Sequence, residues 1–298
     1  SGLTLFCGVG GAVAAGVPLR WLIEGFGWRP VMAVMALALL FIGAAIWWIV
    51  RDAPAQQGYH SFATAAMETD VSMKTLLKGL TTTLGCPNVW RLFLVGCGLT
   101  GPVLAFAGLW GVPYFTTLQG ITTGAASAIT SALLICYALG AIVLGILSDR
   151  IGRRKSVLAI GALISFLAWI PLLFLSGLPL WLLVSLALLV GLASGSVTLG
   201  FAFIRESVPA AFTGAATGIY NMGAILGAMV LQPAIGWILD SHWQGGLAGG
   251  VRIYDLCAYR RGFALLIAFN LLSVLSVLLA RETYCRPLPE TGTKEKKG

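Results

Sequence analysis

The feature that most constrains this chain is a succession of apolar stretches, each long enough to cross a lipid bilayer. About 20 predominantly apolar residues span a hydrocarbon core of roughly 30 Å. Such runs occur at 2–23, 30–50, 90–115, 125–147, 156–176, 179–203, 212–239 and 262–280. Composition agrees: 58% of the 298 residues are hydrophobic and only 10% are charged, too few to solvate a soluble domain of that size. Backbone groups in hydrocarbon must be satisfied within the protein, so only helices and closed barrels span a membrane. Barrel strands, of about 10 residues with alternating polarity, do not occur here. The expected fold class is an all-α polytopic membrane protein of about eight transmembrane helices.

Charge then sets the orientation. Loops on one side carry Arg51, Lys74, Lys78, Arg91, Arg150, Arg153, Arg154, Lys155, Arg205, Arg281, Arg286 and the tail lysines 294, 296 and 297. The other side carries Arg20, Arg29, Arg252, Arg260 and Arg261. Positively charged loops stay cytoplasmic, so both ends are expected in the cytoplasm. The net charge of +8 therefore reads as a topology signal and not as nucleic-acid binding. The six cysteines are scattered, without the spacing of a metal site or a disulfide framework. No cofactor is implied. Between the second and third runs, "SMKTLLKGLTTTLG" has the pattern of a short amphipathic helix at the membrane surface.

An internal repeat extends the argument. At one constant offset Gly8 matches Gly223, Pro18 matches Pro233, Ile23 matches Ile238 and Trp28 matches Trp243. Each copy is a small-residue-rich helix with an internal proline, followed by one last span and a basic segment. The first two spans then correspond to the last two, and the four between have no partners. A protein built from two six-helix halves would lack its first four helices here.

The densest charge cluster stands at 145–155, "GILSDRIGRRK". It resembles motif A of the major facilitator superfamily, which lies between helices 2 and 3 of that family and again between helices 8 and 9. Numbering the spans as helices 5–12 places this copy between helices 8 and 9, in agreement with the repeat. "GFGWRPVMAV", "TGAATGIYNMGAILG" and "RETYCR" resemble bacterial members near the sugar-phosphate and nitrate permeases. The resemblance implies the major facilitator fold, truncated. Residues 1–50 would be the last two helices of the N-terminal bundle and 51–89 a cytoplasmic linker. Residues 90–281 would be a six-helix C-terminal bundle and 282–298 a cytoplasmic tail.

It also implies a function: secondary transport of a small polar or anionic solute by alternating access. Organic anions, sugar phosphates, amino acids and short peptides all fit, as does a coupling proton. The alternative is a non-transporting sensor or channel-like protein on the same fold. In the family the acid of motif A latches the cytoplasmic face. The expected gating set is Gly145, Asp149, Arg150, Gly152, Arg153, Arg154 and Glu206. Asp149 would meet the start of the first span, near residues 1–4, while Arg153 and Glu206 complete a charge network. The competing reading is a basic loop that fixes topology alone. Cavity candidates, by depth and polarity, are Phe106, Trp110, Tyr114, Tyr137, Tyr220, Asn221 and Gln232, with Arg20 near the opposite rim. Asn270 is expected to bond a neighbouring helix. Paired catalytic groups at membrane depth are absent from the sequence, which argues against an intramembrane enzyme.

Overall fold

The computed structural model of the chain describes residues 8, 10–11, 17–51, 73–248 and 250–286. In chain order its helices are α1 (Val17–Phe26), α2 (Trp28–Ile49), α3 (Met73–Leu84), α4 (Pro87–Gln119), α5 (Thr123–Ile151), α6 (Arg154–Phe174), α7 (Leu180–Glu206), α8 (Ala210–Ser241) and α9 (Leu256–Leu279). A short antiparallel hairpin, β1 (Leu247–Ala248) with β2 (Val251–Arg252), joins the last two helices. Among the described residues, α2 and α4 to α9 make 7 helices long and apolar enough to cross a membrane. This is a multi-pass helical membrane protein. Most of the run at 2–23 lies outside the described residues, and α1 is its described end. The amphipathic stretch after the second run forms α3.

The core is the bundle of α4 to α9, in which α4 packs on α8 and α9, α5 on α7, and α6 on α7 and α9. Lipid tails are as apolar as leucine, so helices in a membrane associate through close packing and polar contacts. Glycine provides the closeness. A Cβ on Gly98 would lie 2.1 Å from the Phe269 carbonyl oxygen of α9, and one on Gly227 would lie 2.3 Å from the Cys97 carbonyl of α4. Polar groups add the ties. Fully buried Asn270 donates from Nδ2 to the Gly98 carbonyl at 3.2 Å and to Ser165 Oγ at 3.3 Å, bonding neighbouring helices as its sequence position suggested. By contrast α2 buries Val31 alone and leaves nearly all its other residues exposed, an apolar surface suited to hydrocarbon.

Two helices change pitch beside the region described next. In α4 the segment Phe106–Trp110 is a π-turn. Pro113 lies just beyond; it has no N–H to give Leu109 and its ring crowds that carbonyl, which widening of the helix relieves. In α7, Gly195–Thr198 tightens to a 3-10 turn.

The connection expected as a loop at 145–155 is mostly helix. α5 continues to Ile151, where Gly152 takes the left-handed conformation (φ 71, ψ 22) and its N–H bonds the Ser148 carbonyl at 3.0 Å. This is the usual glycine termination of a helix. Arg153 is extended, and α6 starts at Arg154. α9 begins before the expected position 262 because Asp255 caps it, its Oδ1 accepting from the Ala258 N–H at 2.8 Å.

Candidate functional site

A cavity of about 1170 Å³ opens between α1 and the inner faces of α4, α5, α7 and α8. Its polar wall is mostly hydroxyl: Thr100, Thr123, Ser127, Thr130, Ser131 and Thr198, with Tyr137, Tyr220 and Asn221. Leu104, Leu134, Val197, Phe201 and Ile225 supply apolar surface, and α1 contributes Trp21 and Glu24. Among the described lining residues Glu24 is the one charged group.

Three sequence candidates lie in this wall. Tyr137 shares a hydrogen bond with Thr100 Oγ1 at 3.1 Å, joining α5 to α4. Tyr220 donates to the Val197 carbonyl at 2.5 Å, within the 3-10 turn of α7. Gly200 leaves the space for its ring; a Cβ there would meet the Tyr220 hydroxyl at 2.1 Å. Asn221 lines the cavity and makes no hydrogen bond within the described residues, so its amide is free for a ligand.

Four others lie elsewhere. Phe106 and Tyr114 are buried in an aromatic cluster, where Phe106 meets Trp169 at 5.2 Å and Phe263 at 5.6 Å between ring centroids. The Tyr114 hydroxyl donates to the Leu173 carbonyl at 3.3 Å. Both rings point away from the cavity, into the contact of α4 with α6 and α9. Trp110 and Gln232 tie α4 to α8: the indole donates to the Gln232 carbonyl at 3.0 Å, and the Gln232 amide to the Leu104 carbonyl at 3.3 Å. Arg20 belongs to α1, and its side chain lies outside the described residues.

At the other end of the bundle the motif residues form a charge cluster around Arg154. Its guanidinium pairs with Asp149 and, through Nε at 3.2 Å, with Glu206 at the end of α7. Thr283 donates its hydroxyl to the second Glu206 oxygen. Glu282 caps α6, its Oε1 accepting from the Arg154 and Lys155 N–H groups at 3.0 and 3.1 Å. Lys155 Nζ in turn donates to the Leu278 carbonyl, near the end of α9, at 2.7 Å. Opposite charges thus stand at the helix ends that attract them.

The expected pairing of Arg153 with Glu206 is corrected. Left-handed Gly152 and extended Arg153 turn the chain so that Arg153 faces solvent and Arg154 faces Glu206. Arg150 is exposed on the last turn of α5. Gly145 makes no turn; it lies within α5, where a Cβ would meet nothing within 4 Å. The residues expected to receive Asp149, 1–4, lie outside the described residues. Sequence reasoning missed Glu282 and Thr283, although an acid directly after the last apolar run, on the side of the basic cluster, was a usable signal. Beside them, burial pushes the Cys285 thiol up, the Arg154 cation opposes this, and the carboxylates of Glu206, Asp149 and Glu282 add to it.

A bundle of membrane-spanning helices around a cavity with hydroxyl groups set in an apolar wall, with its helix ends clasped by ion pairs at one face, has the build of a membrane transporter. The chain belongs to the Major Facilitator Superfamily, whose profile matches residues 92–298. It is 29% identical over 222 residues to the probable nitrate/nitrite transporter NarK2 of Mycobacterium tuberculosis, in strains CDC 1551 / Oshkosh and ATCC 25618 / H37Rv. That match takes in 74% of this chain and 51% of the relative, so the chain spans about half the length of the curated relatives it matches. Among solved structures it is similar to a bacterial homologue of the human lysosomal transporter Spinster, inward-facing and unoccupied. The TM-score is 0.58 at 16% identity, over 94% of this chain and 66% of the other, a likeness of fold. It also matches the partially occluded, inward-open xylose transporter XylE of E. coli, with a TM-score of 0.49 at 20% identity over 67% and 50% of the two chains.

Proposed function

We propose that the protein is a secondary transporter that moves a small polar solute across a bacterial inner membrane by alternating access. The observation that carries this reading is the hydroxyl- and aromatic-lined cavity enclosed by α1, α4, α5, α7 and α8, with the unpaired amide of Asn221 in its wall. Positive-inside topology puts the Arg154 cluster, and both ends of the chain, in the cytoplasm. The cluster then holds the cytoplasmic ends of α5, α6, α7 and α9 together as one moving unit.

The wall also narrows the solute. The curated relatives are named for nitrate and nitrite. The described lining offers hydroxyls, phenols and an amide to a solute carrying its own donors and acceptors. This favours an amino acid, a short peptide or a sugar-like molecule.

The test is a stabilisation screen of the full-length protein in detergent, followed by uptake into proteoliposomes. The panel contains nitrate, amino acids, dipeptides, sugars and sugar phosphates. A hydrogen-bonding organic solute is expected to stabilise and to be taken up, and Asn221→Ala is expected to lower uptake about tenfold through loss of a hydrogen bond to the solute. Stabilisation and uptake by nitrate alone, unaffected by Asn221→Ala, would overturn the reading.

A further inference from the structure

A second cavity, of about 550 Å³, lies between the start of α4, the end of α7 and the segment that follows α9. Arg91, Arg281 and Arg286 line it, together with Cys86, Asn88 and Ser207. Two acids also line it, Glu206 and Glu282. Both are already engaged. Glu206 accepts from Arg154 Nε and from the Thr283 hydroxyl, one to each oxygen. Glu282 accepts from the Arg154, Lys155 and Thr283 N–H groups at Oε1, and from Lys155 N–H at Oε2. No carboxylate among the described residues forms an ion pair with Arg91, Arg281 or Arg286.

The wall between these cations is fixed in place. Asn88 Nδ2 donates to Ser207 Oγ at 2.7 Å, and Asn88 Oδ1 accepts from the Arg281 N–H at 2.9 Å. This pins the segment after α9 against the first turn of α4. The end of α7 is held to the same turn by the Cys86 thiol, which donates to the Ser207 carbonyl at 3.6 Å. Among the described residues, therefore, three arginines without a carboxylate partner line one concave space whose acids are occupied.

We propose that this cavity is a binding site for a phosphate-type anion, separate from the solute cavity. Guanidinium groups present forked donors that match phosphate oxygens, and hydrogen bonds between ionised partners are about twice as strong as neutral ones. The positive end of the α4 dipole adds to the attraction. Volume permits a phosphate with its substituent. The same chemistry is offered by a soluble phosphate and by the headgroup of an anionic lipid in the adjoining leaflet.

Cys86, in the wall, reports occupancy. In the full-length protein with Cys86 as its sole cysteine, maleimide labelling is followed in detergent against inorganic phosphate, dihexanoyl-phosphatidylglycerol or dihexanoyl-phosphatidylcholine. Protection is expected from inorganic phosphate, from the phosphatidylglycerol, or from both. The first alone assigns a soluble source, the second alone a lipid source, and both together the shared chemistry. Each Arg→Gln change at 91, 281 and 286 is expected to raise the half-protecting concentration about tenfold. Should a variant at 91 or 281 fail to fold, Arg286→Gln alone gives the same comparison. Absence of protection by either anion, equal protection by the phosphatidylcholine, or protection unchanged in the Gln variants would each overturn the proposal.

Discussion

Replacing Arg154 by glutamine tests whether the cytoplasmic cluster has a single hub. The side chains of Arg154 and Glu206 are 11% and 12% exposed, whereas Asp149 is 65% exposed. Removing one partner of a buried ion pair costs about 3–5 kcal/mol, because the other charge is left without compensation. With a tenth of each side chain still in water, and with Thr283 still donating to Glu206, the cost should fall slightly below that range, to about 2–3 kcal/mol for Arg154→Gln. Asp149→Asn removes a rim charge and should cost about 0–1 kcal/mol. The assay is unfolding of the full-length protein by dodecyl sulfate in mixed micelles, followed by circular dichroism. It is run on Arg154→Gln, Glu206→Gln, the double variant and Asp149→Asn. Contacting residues couple by about 0.5–3 kcal/mol, so the double variant should fall short of the sum of the singles. If Asp149→Asn proved as costly as Arg154→Gln, or the cycle were additive, the hub would be wrong. The acid of the motif would then carry the contact that its family resemblance implies.

Three further substitutions probe the bundle itself. Gly98→Ala places a Cβ 2.1 Å from the Phe269 carbonyl and should cost about 1–3 kcal/mol as α4 and α9 are forced apart. Gly145→Ala meets nothing within 4 Å and gains about 1 kcal/mol of helix propensity, so it should be neutral or stabilising; the monodisperse fraction after heating separates the two. Asn270→Leu loses the bonds to Gly98 and Ser165 but also removes a buried Oδ1 that has no hydrogen-bond partner. Interhelical hydrogen bonds in membranes average about 0.6 kcal/mol, so this change should stay within about 1 kcal/mol in the dodecyl sulfate titration.

Much of the fold was legible because hydrocarbon allows so few solutions. Run length fixed the number and order of the helices from α4 onward, and the boundaries that shifted did so for local reasons. Gly152 ends α5 later than a hydropathy window can detect, since the last turn of α5 is charged. Asp255 starts α9 earlier, since a capping aspartate and two arginines, Arg260 and Arg261, look like loop. Arg260 instead reaches back to the end of α6, donating to the Phe174 carbonyl at 2.7 Å and to Ser176 Oγ at 2.8 Å. The same blindness exchanged Arg153 for Arg154. Which of two adjacent arginines turns inward depends on the backbone angles of Gly152 and Arg153, and composition is silent about those.

The cavity was harder to read, for a reason that its wall makes plain. Sequence reasoning sought polar or aromatic groups at depth and chose Phe106, Trp110 and Tyr114 on α4. On that helix the cavity is lined instead by Thr100, Leu104, Ala107, Gly108 and Val112, mostly small or hydroxylated. Large rings fill space, so they serve where helices must be wedged together, as Phe106 does against Trp169 and Phe263. A void remains where side chains are small. Small residues are also what lets two membrane helices touch, and the sequence cannot distinguish the uses. Gly98 and Gly108 stand on the same helix, yet a Cβ on the first would strike the Phe269 carbonyl at 2.1 Å while one on the second would meet only Gln232 Nε2 at 3.6 Å. One closes a contact and the other borders the cavity. What separates them is the presence of α9 behind Gly98, a fact of assembly that no single helix encodes.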